Sequence, residues 1–242
     1  MLTPADLKQV RLASQPQRHE LAAIYSRLPQ TNCRRQALCC TLLPEVSFLE
    51  GLQAIQKMQE MPSALRLDLS QKLIRYFFVN PVKITYCPFL QDQECLIYAD
   101  RPFGCRAYGL WSKKFYRQLF EQNRQAKLLL GHQWEKLGVT LPAEVVEFQV
   151  PYCSFVCSDS FNPMSDAFLL NAWDDIDKLS QTLQPGHHLF QTTFFSDLSF
   201  LFVGMTFGPT KAVRFKVQIV QEMIQSGYSK RLEQLVAQCP DL

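Results

Sequence analysis

The chain is short of several things, and each shortage closes off a class of function. Its 242 residues carry a formal net charge of only +3, too little by itself to imply a nucleic-acid partner. It has no run of eighteen apolar residues. The nearest, 194–207, is interrupted by Ser196, Asp197, Ser199 and Thr206, so it reads as a buried helix and no membrane span is expected. The opening MLTPADLKQVRLASQPQ has no apolar core before Leu21, so no signal peptide is read there and the expected compartment is the cytoplasm. The nine glycines are scattered, which leaves no glycine-rich loop for a dinucleotide or nucleotide. The C-x3-C-x2-C triplet of radical enzymes that use S-adenosylmethionine is missing as well. Histidine is scarce, with four in all. His19 and His132 fall in expected helices and His187-His188 in an expected loop, where neighbouring histidines more often face water than bind metal.

Apolar residues are plentiful. At 47% of the chain, with 18 phenylalanines, they supply an ample core and argue against disorder. Their spacing predicts a mainly α fold with one small β-hairpin. A short helix begins at Thr3-Pro4, Pro16 breaks it, and a second covers 17–27. Ser47-Phe-Leu-Glu50 is a capping box opening a helix that puts Phe48, Leu52, Ile55 and Met58 on one face. Ser63 caps the next, with Leu65, Leu69, Leu73 and Phe77 inward, and Asn80-Pro81 stops it. Residues 82–86 and 94–98 read as two strands around FLQDQ. A helix over 112–130 follows, with Phe115, Leu119 and Leu129 or Leu130 inward and Gly131 as its stop. Further helices are expected from Asn162-Pro163 to about Pro185, over 196–207, over 210–225 capped by Gly227, and over 229–237. Two regions are expected, 1–110 with the cysteines and 111–242 packed on it, together one compact unit.

Nine cysteines in an expected reducing compartment are informative, since clustered thiols there more often bind metal or do redox work than form disulfides. Nine is odd, so complete pairing is impossible. Cys239 stands alone and reads as a small buried hydrophobe. The others group as Cys33, Cys39 and Cys40; Cys87, Cys95 and Cys105; and Cys153 with Cys157. Thiolate is a strong ligand for zinc and for iron–sulfur clusters. The spacings C-x5-C-C, C-x7-C and C-x9-C fit no standard zinc finger. Adjacent Cys39 and Cys40 would point to opposite faces of an extended segment, so they serve different centres, or one ligates while the other packs.

The stretch CPFLQDQECLIYADRPFGCRAY, with an upstream Cys-Cys and a capped helix, resembles the bacterial and archaeal family with a C-x2-C-x2-C-C signature, described as zinc- or iron-chelating domains. The resemblance covers about 33–110. It implies metal ligation by Cys33, Cys39, Cys40, Cys87, Cys95 and Cys105. Gln36 stands where the signature has its second cysteine, and Cys153 or Cys157 could supply the missing thiol or could simply be buried. Arg101 and Arg106 match the family motif on either side of Cys105. Each either offsets the negative charge of a thiolate-bound cluster or pairs with Asp100 or Asp92 to pin the loop. Tyr108 follows directly, and with Arg106 and Trp111 would sit at the mouth of a pocket walled by the C-terminal helices.

Few histidines and many cysteines point to an iron–sulfur cluster or all-thiolate zinc. The eight clustered thiols could hold two four-thiolate centres or one cluster plus redox cysteines, and an iron–sulfur cluster, a 4Fe-4S centre foremost, is the expectation. Some relatives of the family resemble protein-modifying enzymes, the flagellin lysine methylase among them. The expected function is therefore a redox or protein- or peptide-modifying enzyme, an oxidoreductase by class. The alternative is a non-catalytic zinc-stapled or metal-chelating adaptor. Partners would be a protein or peptide substrate or an electron-transfer protein. Seven basic residues against one acidic between Arg101 and Lys127, with aromatics interleaved, form either a solvated helix face or a surface for an acidic partner. Asp174, Asp175 and Asp177 read as a solvated helix edge.

Overall fold

The computed structural model describes residues 14–29, 31, 33, 35–154, 156 and 164–239. Among them are eleven α-helices and one two-stranded antiparallel sheet, so the mainly α architecture with a single small hairpin is the one observed. The helix expected at Thr3-Pro4 lies outside the described residues. The first helix, α1 (Gln15–Ser26), has Pro16 inside its first turn. There the missing N–H costs nothing, so proline lies within the start of this helix.

Helix α2 (Phe48–Glu60) begins at the capping box. The Ser47 hydroxyl accepts from Glu50 N, and the Glu50 carboxylate accepts from Ser47 N. Phe48, Leu52, Ile55 and Met58 are all buried, as their spacing requires. Helix α3 (Ser63–Val79) follows, with Ser63 as its first residue and Pro62 at the cap position. Leu69, Leu73 and Phe77 are buried along it.

The hairpin is later and shorter than expected. Its strands are β1 (Leu90–Gln91) and β2 (Glu94–Cys95), and 82–86 is not a strand. Leu90 pairs with Cys95 and Gln91 with Glu94. Asp92 and Gln93 between them both have positive φ, 49° and 64°, the two-residue turn whose twist suits a hairpin. The β-branched 82–86 stretch misled because side-chain preference for a pleated surface does not supply a pairing partner.

Two short helical pieces follow: a 3-10 turn at Tyr98–Asp100 and α4 (Phe103–Ala107). Helix α5 (Lys113–Lys136) runs straight through Gly131. An internal glycine costs only about 1 kcal/mol relative to alanine, and Trp134, buried against Val139 and Val220, anchors the turn beyond it. Leu129 and Leu130 are exposed, contrary to expectation. The helix ends at Leu137, followed by Gly138 at φ 75°. A four-residue α6 (Ala143–Val146) leads to α7 (Asp166–Gln181), capped by Ser165; Asn162 and Pro163 lie outside the described residues.

The remaining chain is four helices: α8 (Gly186–Phe194), α9 (Leu198–Phe207), α10 (Pro209–Ser226) and α11 (Lys230–Ala237). His187 and His188 are in α8, not a loop, and His187 is buried. The apolar run 194–207 is broken by Phe195 and Ser196 at positive φ, after which Asp197 caps α9 through the amides of Ser199 and Phe200. Helix α9 is the centre of the packing, with α3, α8 and α10 against it. The buried core runs without interruption from Leu21 in α1 to Val236 in α11. No helix among the described residues is long and apolar enough to cross a membrane.

Candidate metal centre

Four separate segments bring thiols to one place. Cys39 and Cys40 lie in a 3-10 helix, Leu38–Thr41, entered through Ala37 at φ 55°. At three residues per turn, neighbouring side chains diverge by about 120° and not the 180° of an extended chain. Their sulfurs are therefore only 3.7 Å apart. The expectation that the pair faces opposite ways is corrected by that local helix. The Cys40 carbonyl accepts from Cys87 N at 2.7 Å, which joins the first cysteine group to the second by backbone alone. Cys95 is on β2, and Cys105 is in α4.

These five sulfurs, with Cys33 and Cys153, line one mostly apolar cavity of about 150 Å³. No histidine is among its lining residues. Among the described residues, no three Cys, His, Asp or Glu side chains already close on a single point as ligands of one ion. The thiols surround a space instead.

Their electrostatics reflect the confinement. Burial pushes the Cys87 thiol up to about 12, and that of Cys105 well above the ordinary thiol value. Cys95 is raised too, mainly by burial. Within the vicinal pair, the hydrogen bond from Cys40 holds Cys39 down at about 7, and the same bond holds Cys40 up. The charges of Cys39, Cys87 and Cys95 are all felt at Cys105, so these thiols form one electrostatic group. Cys33 stands at the edge, its sulfur accepting from Arg35 N at 3.4 Å.

Two arginines flank Cys105 and behave differently. Arg106 donates to the carbonyls of Arg101 and Ala99 and lies over the Tyr25 ring, 4.1 Å from its centroid. Arg101 stacks on Tyr98 at 4.0 Å and lowers the cost of ionising Cys39, Cys95 and Cys105. Neither pairs with Asp100, whose carboxylate accepts from Gln53 at 2.9 Å and faces Lys57 at 3.8 Å. Of the alternatives open for these arginines, the bridge to Asp100 is therefore not made. Asp175 and Asp177 take surface partners, Arg27 and Gln181.

Glu50 was read only as a helix cap, and it does more. Its buried carboxylate also accepts from Tyr25 OH and from Phe103 N, each at 2.5 Å. One side chain thus fastens α1, α2 and the first residue of α4, and Cys105 sits two residues further on. Burial, then the Glu50 carboxylate, holds the Tyr25 phenol well above its usual value. The sequence signal for Glu50 was present, but its two distant partners were not visible in it.

Three tyrosines close the other side. Tyr108 donates to the Pro151 carbonyl, Tyr116 to that of Val150 at 2.6 Å, and Tyr152 to that of Trp111 at 3.3 Å. These bonds strap 150–152 across the start of α5 and hold Cys153, which is buried, at the cavity wall. A Cβ at Gly109, where φ is 83°, would lie 2.7 Å from Val156 Cγ2, so only glycine admits that segment. Tyr108 and Arg106 line the cavity as expected, and Trp111 is not among its lining residues. The C-terminal helix α9 contributes Leu198, while Phe190, Phe194, Phe200 and Phe202 are buried in the core. Cys157 lies outside the described residues, and Cys239 packs partly buried against the core.

Residues 32–124 match the profile of a family described as "CxxCxxCC: Putative zinc- or iron-chelating domain". The matched segment contains Cys33, Cys39, Cys40, Cys87, Cys95 and Cys105 and excludes Cys153 and Cys157. No curated protein and no solved structure matches the chain.

Proposed function

We propose, from the premise that 32–124 carries a zinc- or iron-chelating domain, that the thiols of the cavity hold an iron–sulfur cluster in a redox or protein-modifying enzyme. One observation carries this reading: five sulfurs from four segments surround a single mostly apolar cavity of about 150 Å³. A cluster suits donors around a space, because each thiolate binds a different iron. The donor set fits the group chemically, since thiolates are the standard cluster ligands. Cys39, Cys87, Cys95 and Cys105 would hold it, with Cys40 or Cys153 in reserve.

Such a group supplies one-electron transfer or a Lewis-acidic iron. The chain supplies the rest. Apolar side chains such as Phe89, Ile97 and Val46 line the cavity and keep water from it. Tyr25, Glu50 and Arg106 orient the helix that carries Cys105, and Tyr108 joins the far wall to it. Lys113, Lys114 and Arg117 at the start of α5, beside the Tyr108–Tyr152 strap, would meet an acidic protein, peptide or electron carrier.

The alternative is a zinc staple in a non-catalytic adaptor. The 3.7 Å between Cys39 and Cys40 sulfurs favours it, because two thiolates on one tetrahedral zinc at 2.3 Å stand about 3.8 Å apart. Absorbance and metal content of anaerobically purified protein separate the two. A broad band at the blue end of the visible range with matching iron and acid-labile sulfide supports the cluster. Colourless protein with stoichiometric zinc overturns it in favour of the staple.

A further inference from the structure

We propose that Arg101 is the counter-ion of the metal–thiolate centre, its Nε–H donated to a metal-bound sulfur. The inference rests on the metal reading above and assigns one residue a distinct task within it.

Among the described residues, three cations border the cavity: Arg35, Arg101 and Arg106. Arg35 is paired with Glu94, and Arg106 spends its donors on two backbone carbonyls. Arg101 has neither kind of partner among the described residues. Its Nε is buried and makes no hydrogen bond, while one face of the guanidinium rests on Tyr98. The adjacent carboxylate, Asp100, is turned away to Gln53 and Lys57. A buried N–H without an acceptor is costly, so Arg101 gains from an acceptor inside the cavity.

Metal-bound thiolates supply such an acceptor. A divalent ion with four thiolates carries a net charge of −2, and so does a cluster of two net positive charges with four thiolates. A charge of that size in an apolar cavity needs a compensating cation. Arg101 is placed to supply it, because it lines the same cavity as Cys39, Cys95 and Cys105 and its buried Nε–H has no other acceptor. Charge-assisted hydrogen bonds are the strong ones, and outer partners of metal ligands commonly set affinity by about 10–100-fold. Arg106, by contrast, acts as a brace for the loop and leaves the charge to its neighbour.

The test uses the full chain as wild type, Arg101→Met and Arg101→Lys, each loaded anaerobically with zinc alone or with iron and sulfide. Metal content, the rate of metal loss to a chelator, and the thermal stability of the metal-free protein are measured. Arg101→Met is expected to take up metal with unchanged stoichiometry and to lose it at least about tenfold faster. Its metal-free form is expected to be as stable as wild type or more so. Arg101→Lys, which keeps the charge without the planar edge, should fall between the two. Unchanged retention in Arg101→Met overturns the proposal. So does faster loss accompanied by an equal drop in metal-free stability, which would make Arg101 a packing residue. Wild-type protein that holds neither zinc nor iron overturns the metal reading itself, and this inference with it.

Discussion

The helices from α8 to α11 and the cysteine segment from 33 to 109 are built on opposite plans. The first is solid. Phe190 packs on Phe48, and Phe200 on Phe77 and Phe194; these rings and Phe202 are all buried. The second is hollow. Apart from α2 and α3, which belong to the core, its regular structure is two-residue strands, 3-10 turns and one five-residue helix, and it turns at Arg35, Ala37, Asp92, Gln93 and Gly109 through positive φ. Where burial supplies the free energy, the backbone can remain regular. Where thiols converge from four segments, the backbone bends between them and leaves a space at the meeting point.

The largest expected effect breaks the comparison on the hollow side. Cys105→Ser should cut metal retention by more than the roughly 10–100-fold loss typical of an outer partner. Far-ultraviolet circular dichroism should be nearly unchanged, because the helices do not depend on the thiol. Collapse of the helical signal would show that the two regions are one structure energetically. Next, Phe202→Ala tests the solid side. It should cost about 3–5 kcal/mol of stability in denaturant unfolding and leave metal stoichiometry alone.

Glu50→Gln acts on the seam. The amide keeps one acceptor but turns an NH2 toward donors that have lost theirs, at about 1–3 kcal/mol. Stability and metal retention should fall together, and a loss confined to one would detach Glu50 from the other region.

The smallest effect concerns Lys216, whose ammonium lies 4.0 Å from the Phe77 ring centroid and is held down at about 8 by burial. An unfolded lysine titrates near 10.4. Between those values the unfolded chain binds the extra proton, so native stability rises as pH increases from about 8 to 10.4. Lys216→Met should flatten that rise, by about 1 kcal/mol once solvent screening of a partly buried group is allowed for. An identical slope in the variant would show that the ammonium is solvated.

The helical half was largely legible. The Ser47–Glu50 box, the four-residue stripes and the Gly227 stop are local signals, and local hydrogen bonds decide helices. The failures have physical causes. Gly131 marks no stop because Trp134 outweighs a propensity of about 1 kcal/mol. His187-His188 looked like a loop because Pro185-Gly186 begins a helix there as readily as it ends one. The hairpin was misplaced because strand pairing is a relation between two segments, and only one was read correctly. In the site, the motif singles out cysteines that line one cavity, but it does not reveal their supports. Tyr25 meets Glu50 across 25 residues, Phe103 meets it across 53, and Tyr108 meets Pro151 across 43. No window along the sequence holds such pairs.

The three bonds to Glu50 also set an order of assembly. Residue 50 leaves the ribosome before 103, so the first turn of α2 and Tyr25 can form while the second cysteine group is still being made. The Phe103 amide then closes a loop of about fifty residues onto a carboxylate already in place, and lengthening such a loop adds little further entropic cost. Until then Cys105, two residues beyond Phe103, is not held beside the other thiols, so the cavity is complete only once the Glu50 carboxylate has taken up that amide.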